Sequence, residues 1–194
     1  MPLNSIDERK NELRKKHKYL RQAFSEAEKA QLDRRITESF LKLESYKNAD
    51  TLFAFVSKDI EVSTREIISD ALARKKKVAV PLCDTKTSTM SFYYINSFND
   101  LRKKHFGILE PDDKKCAPAG VNDAQLIIVP GLVFDKKGYR IGFGKGYYDR
   151  FISDYNGVKI GVCYLECIEE EIPYDIYDKK VDLVVTDKYI IDTR

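Results

Sequence analysis

Apolar residues recur at helical spacing over residues 4–24, where Ile6, Leu13, His17, Leu20 and Phe24 mark one modest stripe. Ser25-x-x-Glu28 is a capping box, so a second helix is expected from Glu26. Ala30, Ile36, Phe40 and Leu43 carry its stripe to about Tyr46. Residues 51–56 (TLFAFV) are a short apolar run rich in β-formers, read as a buried strand. A second capping box, Ser63-x-x-Glu66, opens a helix through Ile67, Ile68, Ala71 and Leu72 that ends in the basic run Arg74 to Lys77. Residues 77–82 (KVAVPL) are the next strand. Strand, helix and strand over this length predict a parallel, right-handed βαβ unit.

Further on, residues 90–95 read as a strand in a hairpin-like excursion, 99–104 as a short helix or turn, and 106–111 (FGILEP) as a short extended piece before a polar loop at 112–122. Strands are expected at 126–130, 157–164 and 181–186, with an edge strand at 190–191. A helix is expected over 146–155, an acidic short helix at 166–171 and a loop at 173–180. The pattern predicts an α/β fold: one domain over residues 1–194, with a mostly parallel open sheet flanked by helices in a Rossmann-like three-layer arrangement.

Composition narrows the function. Hydrophobic residues make up 43% of the 194, enough for a core that stands without disulfides. No apolar run reaches the length of a membrane span, and the polar start is no signal peptide. The net charge of +3 is too small to argue for nucleic acid. Cys83, Cys116, Cys163 and Cys167 form no CxxC pair, and only His17 and His105 accompany them, so free thiols in a cytoplasmic setting are expected and a zinc site is not.

The basic residues are uneven. Arg9, Lys10, Arg14, Lys15, Lys16, Lys18 and Arg21 crowd the first helix. Lys10 and Arg14, four apart, share one face; they are either a solvated basic face or a grip on an anion. Glu61 lies in the loop after the first strand, where open parallel sheets bind ligands; a solvated surface glutamate is the alternative.

The chemistry concentrates in PGLVFDKKGYRIGFGKGYYDR, residues 130–150, which holds five glycines. A strand feeding a glycine-rich cationic loop that opens a helix suits an anion, because backbone N–H groups and the helix dipole favour negative charge. A tight structural turn is the alternative. Gly144-Lys145 is followed by Gly146 rather than Ser or Thr, and Tyr147 stands where a dinucleotide loop has glycine, so neither standard phosphate loop matches. A metal accompanying a nucleotide would need carboxylates from elsewhere. Asp149 is the nearest candidate, and Asp178 and Asp182 are distant ones.

VPGLVFDKKGYRIGFGKGYYDRF resembles the signature of the 5-formyltetrahydrofolate cyclo-ligases, also called methenyltetrahydrofolate synthetases. KNELRKK, FVSKDIEVST, FGILEP and the ending with Asp178, Val181, Asp182 and Thr186 resemble further motifs of that family in order and spacing. The resemblance implies ATP- and magnesium-dependent conversion of 5-formyltetrahydrofolate to 5,10-methenyltetrahydrofolate, ADP and phosphate, with small molecules as partners and no nucleic acid or membrane. A monomer is expected. Lys10, Arg14, Arg140, Gly142, Gly144, Lys145, Gly146, Tyr147 and Tyr148 would bind ATP, with Lys145 and Arg140 catalytic. Val56, Glu61, Phe143 and Tyr147 would bind folate, and Asp149 and Asp178 would hold magnesium. Two positions depart from the family's usual residues: Tyr177 stands where His is frequent, and Phe143 where Arg is frequent, which favours stacking at position 143. Arg150 and Asp182 are left unassigned.

Overall fold

The computed structural model describes residues 3–103 and 109–194. Part of the FGILEP reading, Phe106 to Ile108, and His105 lie outside those residues.

Helix α1 is Leu3–Ala23 and α2 is Glu26–Leu41, the latter opened by the expected capping box: Ser25 Oγ accepts from the Glu28 N–H, and the Glu28 carboxylate accepts from the Ser25 N–H. The helix read as running to Tyr46 is broken. It stops at Lys42, and a separate turn, α3 (Glu44–Asn48), carries Tyr46 into the core, where its hydroxyl donates to Asp70. Strand β1 (Thr51–Phe53) is shorter than the apolar run around it. Helix α4 (Arg65–Ala73) is not opened by a Ser63–Glu66 box. Thr64 is its N-cap residue and donates its hydroxyl to Phe55 O, and the Ser63 N–H is taken by Asp33 of α2.

Strand β2 (Lys77–Asp84) and β3 (Thr89–Ile95) form the expected hairpin, β4 (Leu101–Lys103) pairs with β5 (Leu109–Pro111), and β6 (Pro118–Ala119) joins β3. Strand β7 is Leu126–Val129. After it, β8 (Val133–Asp135) and β9 (Arg140–Ile141) form a hairpin, so the segment expected to be one long loop is a loop only over its second half. Asp135, fully buried, accepts from the N–H groups of Lys137, Tyr139 and Ile172 and shapes the Asp135–Gly138 turn. Helix α5 is only Tyr147–Ser153, followed by β10 (Val158–Val162), the short β11 (Ile168–Glu169), β12 (Leu183–Val185) and β13 (Ile190–Asp192). The acidic stretch at 166–171 is a 3-10 turn followed by β11, not a helix throughout.

The main sheet runs β13-β12-β10-β7-β1-β2-β3-β6. Its middle five strands are parallel, and antiparallel pairs close both edges. The β1–α4–β2 unit is parallel as the spacing predicts. β1 and β7 are neighbours, yet the chain leaves β1 toward β2 and leaves β7 toward β10. That divergence opens a crevice at their carboxyl ends. Below it, Phe53 stacks on Phe92 at 4.4 Å and Phe151 of α5 packs on Phe92 at 4.8 Å, so burial of rings fixes the helix that ends the glycine loop.

Candidate active site

A cleft of about 1450 Å³ sits at that crevice. Its wall takes Phe55 and Val56 after β1, Pro81 to Asp84 at the end of β2, Pro130 after β7, and the whole of residues 140–150. A single small ligand fills roughly 300–1,000 Å³, so there is room for two. Every candidate residue named from the resemblance lines this one cleft: Lys10, Arg14, Val56, Glu61, Arg140, Gly142, Phe143, Gly144, Lys145, Gly146, Tyr147, Tyr148, Asp149 and Asp178. Asp182 does not. It accepts from the Lys159 N–H and pairs with the Lys159 ammonium beside the starts of β10 and β12, at the sheet end opposite the crevice.

The glycine loop is set by close approach. Gly144 has φ +91°, and a Cβ there would come within 3.3 Å of the Arg14 guanidinium carbon. Arg14 donates to Gly142 O at 3.1 Å and to Asn11 at 2.6 Å, so α1 is tied to the loop. Gly142 has open space where a side chain would be, which leaves its backbone accessible from the cleft. Gly146 (φ +66°) is the N-cap of α5, a helix too short for a large dipole; the anion-binding capacity here is that of N–H groups and side chains. Lys145 is exposed, while its carbonyl accepts from Arg150, whose guanidinium also bonds Ser88 O in the β2–β3 turn. Arg150, unassigned by pattern, thus joins the loop to the hairpin.

The carboxylates come paired with cations. Arg140, buried, donates to Asp149 Oδ1 at 2.8 Å, and the Lys179 N–H donates to the same oxygen. Lys10 is only 6% exposed and donates to Asp178 at 2.6 Å and Asp175 at 2.9 Å. Burial works against the Lys10 charge, but these two carboxylates outweigh it and hold its pKa above the ordinary lysine value. The anion that the Lys10–Arg14 face requires is therefore supplied in part by the chain itself. Among the described residues no cluster of three His, Cys, Asp or Glu side chains forms a metal cage. Magnesium needs only one or two carboxylates when phosphates and water complete its shell. Asp149 meets that requirement, since both of its protein contacts fall on Oδ1. Asp178 is less free, because Lys10 and the Asp175 N–H share its Oδ2.

Glu61 is 7% exposed and accepts from the Lys58 N–H at 2.8 Å. Burial raises its pKa, against the Lys58 N–H and the charges of Lys58, Arg21 and Lys29. A folded-state value above the unfolded one means that stability falls as pH rises through the interval between them. Glu61→Gln is thus expected to raise stability at pH 7, and Tm with it. The gain should shrink near pH 4, about where an unfolded glutamate titrates. Thermal melts at both pH values check this; a variant less stable at pH 7 contradicts it. Tyr148 lines the cleft too, and its hydroxyl is buried without a hydrogen-bond partner among the described residues.

Arg21 is the buried cation of α1 that the sequence pattern did not single out. Arg21, 3% exposed, donates to Gly131 O and Leu132 O at 2.8 Å and to Ile60 O at 3.2 Å. His17, equally buried, meets Glu169 at 2.9 Å. Lys10, His17 and Arg21 sit at i, i+7 and i+11; His17 already belonged to the apolar stripe and Lys10 to the candidate grip on an anion, while Arg21 stood only among the crowded basic residues.

Comparison with known proteins agrees with this geometry. The model of the 5-formyltetrahydrofolate cyclo-ligase family matches residues 6–187. A probable 5-formyltetrahydrofolate cyclo-ligase of Schizosaccharomyces pombe is 36% identical over 68% of this chain and 71% of its own length. Another from Caenorhabditis elegans is 30% identical over 94% of this chain and 95% of its own. The solved 5,10-methenyltetrahydrofolate synthetase of Aquifex aeolicus superposes with a TM-score of 0.84 at 33% identity, covering 95% of this chain and 93% of that one. With the same fold, a family match over nearly the full length and the signature segment forming the cleft wall, the chain belongs to the 5-formyltetrahydrofolate cyclo-ligase family.

Proposed function

We propose how this cleft carries out its family's reaction, the ATP-dependent conversion of 5-formyltetrahydrofolate to 5,10-methenyltetrahydrofolate, ADP and phosphate. The observation that carries the reading is the convergence of the phosphate-type loop at 142–146 and the buried Glu61 on one cleft large enough for two ligands. ATP phosphates lie on the side of Lys10, Arg14, Gly142, Gly144, Lys145 and Gly146. Folate lies on the side of Val56, Glu61 and Phe143, with Tyr147 and Tyr148 between. Glu61 meets the N–H groups of the pterin, and the unpartnered Tyr148 hydroxyl is available to a ligand atom.

The formyl oxygen is an amide-type oxygen and a poor leaving group. It attacks the γ-phosphorus, the bond to ADP breaks, and the oxygen becomes part of a phosphate ester. N10 then attacks the formyl carbon and closes the ring, phosphate departs, and the N10 proton is released to solvent. Lys145 meets the charge spread over the transferring phosphoryl oxygens, and Arg140 holds Asp149 in place beside them. Asp149, with Asp178 assisting, would hold magnesium, which would supply further neutralisation of phosphate charge. One domain acting as a monomer completes the reading, with the four free cysteines supporting a cytoplasmic setting.

Asp149→Asn is expected to raise the magnesium concentration needed for half-maximal turnover by at least about tenfold, the lower end of what removing even an outer partner of a metal ligand costs. A magnesium titration of initial rates tests it. An unchanged midpoint would remove Asp149 from the metal site and leave it as the partner of Arg140.

A further inference from the structure

Two lysines share one aromatic ring at the rim of the cleft. Lys18 Nζ lies 5.4 Å from the Phe143 ring centroid and Lys58 Nζ lies 5.8 Å from it. The three residues come from α1, the loop after β1 and the glycine loop, segments brought together only by the fold. Two other lysines of α1 have carboxylate partners: Lys10 has Asp175 and Asp178, and Lys16 has Glu169 at 2.6 Å. Among the described residues, Lys18 and Lys58 make no ion pair. The Phe143 ring itself is 43% exposed.

Two ammonium groups on one ring repel each other, and the attraction of the ring's π-face offsets this only in part. The arrangement favours an anion carried next to a flat apolar group. Lys58 also gives the site a direction. Its backbone N–H holds Glu61 at 2.8 Å, deep in the cleft, while its ammonium reaches Phe143 at the rim. A folate is built in the same order: a pterin, an aminobenzoyl ring, then a glutamate with two carboxylates. With the pterin at Glu61, the far end of the molecule comes to the rim.

We propose that Lys18 and Lys58, gathered on the Phe143 ring, bind the glutamate carboxylates of the folate substrate. The subsite rests on the function proposed above. It adds a contact remote from the reacting atoms and separate from the phosphate side of the cleft.

The test compares 5-formyltetrahydrofolate with 5-formyltetrahydropteroate, which lacks the glutamate, in the unaltered chain and in the Lys18→Ala, Lys58→Ala double variant. The unaltered chain is expected to prefer the glutamate-bearing substrate by about tenfold in kcat/KM, as two solvent-accessible ion pairs allow, and the preference should shrink as salt rises. The double variant is expected to lose that preference through a higher KM for 5-formyltetrahydrofolate alone, with KM for ATP unchanged. Lys18→Arg with Lys58→Arg should retain it, since the charge is kept. Equal losses on both substrates, or a raised KM for ATP, would overturn the subsite. No turnover of either substrate by the unaltered chain would instead overturn the function reading, and the subsite with it.

Discussion

Replacing Lys145 by alanine is expected to lower kcat by about a hundred- to a thousandfold, the range seen when one preorganised charge stabiliser is removed from a transition state. The expectation rests on how the residue is held. Gly144 and Gly146 flank it in left-handed backbone conformations, and Arg150 fixes its carbonyl at 2.8 Å. The backbone is tied while the ammonium stays exposed to the cleft. Because the side chain packs against nothing in the core, the variant should fold as before, and its urea midpoint should match the unaltered chain. A rate within a few-fold of normal would remove Lys145 from the chemistry. Equal losses in rate and stability would make it a structural residue.

Arg21→Ala is expected to cost about 3–5 kcal/mol of stability, the range for removing one side of a buried charged hydrogen-bond network. The guanidinium bonds three carbonyls, Ile60 O, Gly131 O and Leu132 O, and reaches Cys163 Sγ at 3.7 Å. Alanine strands those acceptors in a dry interior and leaves a cavity the size of the side chain. At roughly 2–4 °C per kcal/mol for a chain of this size, Tm should fall by about 10 °C. Urea unfolding measures the effect; a loss below about 1 kcal/mol would show that Arg21 behaves as a surface charge. The carbonyls it bonds lie beside Glu61 on one segment and at the entrance to the β8–β9 hairpin on the other. Arg21 therefore joins the two walls of the cleft.

The sheet was legible because its signal is local. Apolar runs bounded by turns marked β1, β2, β7, β10 and β12, and the βαβ spacing gave the parallel pairing of β1 with β2. Boundaries were poorer where tertiary contacts override propensity. Lys42 ends α2 because the chain must turn to bury Tyr46, and the Ser63 N–H prefers Asp33, thirty positions away, to a local cap. The glycine segment was over-read as one loop. Its first half is a hairpin whose turn is shaped by the buried Asp135, which an Asp-Lys-Lys-Gly string can signal as readily as it signals an anion site.

The candidate site residues came from the resemblance to the family's motifs, and the fold gathers them around one cleft. Its supports were not among them. Arg21, Asp33 and Arg150 act through contacts between segments far apart in sequence, and a polar residue on a helix gives no local sign that it points inward. Asp182 is the opposite case. It looked like a ligand because it sits near a strand end, but that end is the amino one, away from the crevice.

The most direct measurement is a turnover assay following methenyltetrahydrofolate absorbance, with ADP release read in parallel and 5-formyltetrahydrofolate, ATP and magnesium omitted in turn. The account predicts one ADP for each methenyltetrahydrofolate formed and no product when any of the three is left out. Product formation without ATP, or ATP hydrolysis that proceeds unchanged without the folate, would contradict it.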